Sequence, residues 1–131
     1  MKKTTSLLVA LLFALGLAAT SASAQTATAP KSVIHIVTVA WKAGTTEDQI
    51  KAALDGAHKL PAQYKGITRV WTKAVKIQNP PGTTVPRTHV IVMEFADEKA
   101  LADYTNSPAQ LEWYKVYTNI REQSTTHDVT N

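Results

Sequence analysis

The chain has no cysteine. That excludes a disulfide framework, thiolate chemistry and attachment through a lipid-modified N-terminal cysteine. Glycine is scarce, five in 131 residues, and none forms a phosphate-cradling loop or a G-x-S-x-G nucleophile turn. Basic clusters are also missing. Lys42, Lys51, Lys59, Lys73, Lys99 and Lys115 are scattered, and removing Lys2 and Lys3 from the 14 basic residues leaves 12 against 10 acidic ones. A nearly balanced, dispersed charge of this kind argues against nucleic acid as a partner. No closely spaced pair such as H-x-H or H-E-x-x-H offers a metal site, and no motif calls for a cofactor.

One apolar run stands out, Leu7 to Ala18, too short to span a bilayer comfortably. Lys2 and Lys3 precede it, and Ala22-Ser23-Ala24 follows with the small-x-small pattern that a signal peptidase accepts. Residues 1–24 therefore read as a signal peptide. The expectation is cleavage before Gln25 and a periplasmic or secreted product with no remaining membrane segment. Residues 25–31, "QTATAPK", read as a flexible lead-in. The rest is long enough for one compact domain, residues 32–131.

Within that domain the hydrophobic pattern alternates between two periods. "SVIHIVTVAW" (32–41), "ITRVWTKAV" (67–75) and "THVIVMEF" (88–95) read as strands. Thr46 with Gln49 forms a capping box ahead of Ile50, Ala53, Leu54 and Ala57 at helical spacing. Pro61 is expected to close that helix, and His58 to sit at its negative end. Asp97 caps a short helix. Ser107 and Pro108 open another, with Gln110, Trp113, Tyr117 and Ile120 on one face and Ser107-x-x-Gln110 as a second capping box. "STTHDVT" (124–130) reads as a short final strand. The order β-α-β-β-α-β is that of an α+β, ferredoxin-like fold with a mixed or antiparallel sheet.

Strands one and three are apolar on both faces, although the helices of this fold cover only one. A second copy of the same sheet would cover the other, so a homodimer is expected.

The segments "VIHIVTVAWKAGTTEDQI", "GITRVW", "THVIVMEF" and "ADYTNSPAQLEW" resemble, in that order, the stress-responsive dimeric α/β barrel family (A/B barrel, or Dabb). The resemblance implies a ferredoxin-like subunit pairing sheet to sheet into a dimeric α/β barrel. In the plant polyketide cyclases of that family, a tyrosine at the position of Tyr104 works beside a histidine at that of Gln110. Here the tyrosine is kept, while Ser107 and Gln110 stand where the cyclases carry histidines. A neutral amide cannot take a proton, so that cyclase mechanism is not expected.

Candidate ligand-binding residues are His35, His89, Tyr104, Gln110 and Trp113; none is assigned as catalytic. Taking strands one and three as adjacent and parallel, His35 and His89 would meet at one end of the helix-side core. His127, on a strand flanking the first, could then approach His35. The expected role is binding a small apolar or aromatic molecule. The alternative is a cofactor-independent enzyme, a cyclase, isomerase or monooxygenase, using His35 or His89 as base and Tyr104 as donor.

Overall fold

The computed structural model describes residues 30–76 and 85–130. Residues 1–24, where a signal peptide is expected, most of the lead-in and much of the proline-rich loop after the second strand lie outside the described residues. The elements are β1 (Val33–Trp41), α1 (Glu47–Gln63), β2 (Ile67–Ala74), β3 (His89–Phe95), α2 (Glu98–Tyr104), α3 (Pro108–Ile120) and β4 (Arg121–Val129). They form one four-stranded sheet in the order β2-β3-β1-β4, with the helices on one face. This is the ferredoxin-like fold.

Every neighbouring pair in the sheet is antiparallel, which corrects the expectation that β1 and β3 run parallel. β3 lies between β2 and β1 and is antiparallel to both, so it is β2, not β3, that runs parallel to β1. In the register, His35 faces Met93 while His89 faces Val39. The two histidines therefore stand at opposite ends of the β1–β3 pair.

The odd-numbered residues of β1 and β3 look toward the helices. Val33, Val37, Val39, Ile91, Met93 and Phe95 are buried there against Ala57, Leu60, Tyr104, Trp113 and Tyr117. Alternation alone assigns these residues to the core. The other face carries Ile34, Ile36 and Val90, half-buried, and Val92, buried, beside the exposed Trp71. An ion pair between Arg69 and Glu94 (2.5 Å) borders that apolar strip.

The expected caps are present. Thr46 and Gln49 bond reciprocally around the start of α1, and Asp97 accepts from the Ala100 amide at 2.7 Å. Pro61 does not end α1: the helix runs two residues further, because the Tyr64 amide still closes its last turn on the Leu60 carbonyl at 2.8 Å. His58 does not serve that helix end; its Nε2 lies 3.0 Å from the Thr72 hydroxyl on β2. β4 starts at Arg121, directly after α3, rather than at Ser124.

α1 and α3 meet at Gly56. A Cβ there would lie 2.9 Å from Cδ1 of Trp113, closer than real contacts allow. Glycine lets the indole lie flush against α1, where its Nε1 donates to the Ala53 carbonyl at 2.9 Å.

Candidate functional site

α2 and α3 are separated by a corner at Thr105, Asn106 and Ser107. Asn106 takes a left-handed backbone conformation (φ 64°), which asparagine tolerates better than most residues. The Ser107 side chain accepts from the Gln110 amide at 3.3 Å, one half of the expected capping box. The other half is shifted. Gln110 Oε1 accepts from the amide of Asn106 at 2.7 Å, since the Ser107 amide is already spent on the Tyr104 carbonyl at 2.9 Å. Gln110 Nε2 donates to the Tyr114 hydroxyl at 3.3 Å. Gln110 therefore holds the corner and also touches what lies behind it.

Behind it is a cavity of about 250 Å³ between the corner and the sheet. Four of the five expected site residues, His35, Tyr104, Gln110 and Trp113, line it. Drug-sized ligands occupy roughly 300–1,000 Å³, and a dry cavity of about 150 Å³ suffices for benzene. This one suits a substituted single ring or a small bicycle. Its wall is aromatic: Trp113 stacks on Tyr117 (centroids 4.4 Å apart, planes 14° apart), with Tyr114 tilted against both.

Two phenols in the lining are exceptional. The hydroxyls of Tyr104 and Tyr117 are both buried; that of Tyr104 has no hydrogen-bond partner, whereas Ser124 and Arg121 stand close to that of Tyr117. Leaving a buried hydroxyl unpaired costs about 1–3 kcal/mol. Burial pushes the pKa of Tyr104 well above the ordinary phenol value, with a smaller contribution from Tyr114. Tyr117 is also raised, by burial first, with nearby Ser124 and Arg121 opposing the rise.

His35 enters the cavity from β1. Its Nδ1 is 2.5 Å from Oδ1 of Asp128 on β4, directly across the ladder. With Nδ1 engaged, Nε2 is the nitrogen left to exchange a proton. Sequence reasoning missed Asp128, since its relation to His35 exists only through the β1–β4 register.

His89 does not belong to the site. Its Nδ1 accepts from the Trp41 indole at 2.9 Å and lies 3.0 Å from the Thr88 hydroxyl. Because the strands are antiparallel, it occupies the far end of the core. His127 stands opposite Ile36, on the face away from His35, so the two do not converge. Among the described residues no three His, Cys, Asp or Glu side chains gather as a metal site would require, and no helix is long and apolar enough to cross a membrane.

A single antiparallel sheet with helices on one face, and an aromatic cavity under a helix corner, define a ferredoxin-like α+β subunit. Residues 33–131 match the stress responsive A/B barrel domain, and the chain belongs to that family. No curated protein sequence matches it. Among solved structures it is similar to At3g17210 from Arabidopsis thaliana, with 21% identity over 76% of this chain and 94% of that one and a TM-score of 0.66. The hydroxynitrile lyase of Passiflora edulis is 17% identical over 77% of this chain and 94% of that one, again with a TM-score of 0.66. A dimeric ferredoxin-like protein of unknown function from Thermobifida fusca is 16% identical over 78% and 92%, with a TM-score of 0.61. At such identities the likeness establishes the fold, and function must be argued from the site.

Proposed function

We propose that the protein is exported and works as a homodimer, each subunit holding a small, flat, mostly apolar or aromatic molecule in the cavity beneath the α2–α3 corner. The observation that carries the ligand is the Tyr104 hydroxyl, buried beside a ring-sized cavity with no protein partner. A ligand oxygen there would supply the missing acceptor or donor. Native mass spectrometry of protein purified from its own periplasm tests this. A mass in excess of the polypeptide, lost in Trp113→Arg, is expected; cavity-sized molecules absent from every preparation, with no binding from an aromatic library, would overturn it.

The second copy is supported by the strip of Ile34, Ile36, Val90, Val92 and Trp71 on the face the helices leave open, and by the dimeric state of the Thermobifida protein. A charge buried there unpaired would cost several kcal/mol. Ile36→Glu should therefore yield monomer or aggregate in sedimentation, and a wild type that sediments as a stable monomer would refute the dimer. Export is supported by Lys2-Lys3, the apolar run and Ala22-Ser23-Ala24; an N-terminus at Gln25 is expected in the periplasmic fraction.

A second reading has its own observation, the His35–Asp128 pair. Asp128 would hold the imidazole in place, Nε2 would take a proton from the bound molecule, and the Tyr104 hydroxyl would donate to a carbonyl or developing oxyanion. The cyclase route through the Gln110 position is not part of this reading. Cofactor-free turnover that survives Gln110→Ala but is lost in both His35→Gln and Asp128→Asn would establish it.

A further inference from the structure

The β1–β4 ladder contains an irregularity that changes the chemistry of the cavity. Partners advance one for one from Ile34–Val129 to Ala40–Gln123, and then Trp41 faces Arg121. Glu122 is the extra residue of a β-bulge. Strict alternation would send Ser124 and Thr126 to the helix side and Arg121 to the opposite one. The bulge re-aims Arg121, so that it joins Ser124 and Thr126 in the cavity wall. Its guanidinium lies 5.3 Å from the centre of the Tyr117 ring, which in turn stacks on Trp113. A cation and two rings form one continuous wall.

Among the described residues no carboxylate lines this cavity. Asp128 is held by the His35 ring, and none of the ion pairs among the described residues includes Arg121. A guanidinium in the wall of a ring-sized cavity that is aromatic on one side and also lined by Ser124 and Thr126 suits a planar carboxylate or a group of the same charge.

We infer that the occupant is an aromatic anion, its ring against Trp113 and Tyr117 and its negative end received by Arg121. This rests on the ligand-binding reading above and adds the charge of the ligand to it. The competing role for Arg121 is a local one. As the residue capping α3, whose amide donates to the Tyr117 carbonyl, it could do no more than favour the negative end of that helix.

Calorimetric titration with 4-hydroxybenzoate and its neutral isostere 4-hydroxybenzamide, near neutral pH and low salt, separates these roles. The acid should bind about tenfold or more tightly than the amide, as a charge-assisted contact predicts. Arg121→Gln should bring the two within about twofold of each other, and Arg121→Lys should keep part of the preference. Lys115→Gln, which removes the same charge outside the cavity, should leave it intact. Equal binding of acid and amide by wild type would overturn the anion site while leaving the pocket standing. A preference that persists in Arg121→Gln would overturn the role of Arg121. No binding of either compound would remove the pocket reading for ligands of this size and the anion with it. Should Arg121→Gln not fold, Arg121→Lys and the wild-type acid-to-amide ratio decide the matter.

Discussion

The two ends of the β1–β3 pair carry the same residue on the same face, and differ in everything else. At one end the half-buried His89 is engaged by its neighbours: the Trp41 indole donates to its Nδ1 and the Thr88 hydroxyl stands within reach. At the other end His35 borders a cavity, with Asp128 behind it and the unpaired hydroxyl of Tyr104 sharing the lining. A histidine on the helix-facing side of a central strand is thus no indication of a site by itself. What separates the two is whether the polar atoms around them are already satisfied by the protein.

The largest effect should come from dismantling the satisfied end. Trp41→Ala removes the indole donor and a ring that packs on His89 and Tyr117. Truncation of a packed tryptophan should cost about 3 kcal/mol, read as a lower midpoint in chemical denaturation. A cost below ~1 kcal/mol would mean that this end is no more consolidated than the other.

The open end should reveal itself in alkali. Tyr104 keeps its proton to higher pH in the folded protein than in the unfolded chain, because burial disfavours the phenolate. Above the ordinary phenol value near pH 10 the unfolded state therefore binds fewer protons, and stability falls as pH rises, by up to about 1.4 kcal/mol per pH unit for this residue. Tyr104→Phe should flatten that decline. At neutral pH the same variant should be as stable as wild type or up to about 1 kcal/mol more stable, since it removes a buried hydroxyl that has no partner. A clear loss of stability at neutral pH would show that Tyr104 is satisfied after all.

The smallest effect falls at the corner between α2 and α3. Gln110→Ala loses the acceptor for the Asn106 amide and should cost about 0.5–1 kcal/mol in thermal or chemical melts. If the cost is larger, the corner sets the stability of the open end as well as its shape.

Much of this architecture is legible before any coordinates. The element order follows from the switch between periods of two and 3.6, and three helix starts from Thr46, Asp97 and Ser107-Pro108. The pairing direction of β1 and β3 is not legible, and taking it as parallel wrongly brings His89 beside His35. Four of the expected residues line one cavity all the same, because Tyr104, Gln110 and Trp113 sit on inward faces that helical spacing assigns, and His35 on an inward face that strand alternation assigns. Asp128 and Arg121 were not found. Asp128 meets His35 across 93 positions of sequence, and Arg121 faces inward only because Glu122 breaks the alternation. A bulge depends on how two strands pair, which neither strand's composition records.

Gly56 has a reach that its position on α1 does not suggest. It is absent from the cavity lining, yet its missing methyl group decides how far the Trp113 indole can retreat. A single methyl added on the far side of that ring would press it into the cavity, or force α1 and α3 apart. The dimensions of the cavity are thus written partly in a helix outside its lining. Exchanging glycine for alanine there would reshape it with every lining side chain left as it is.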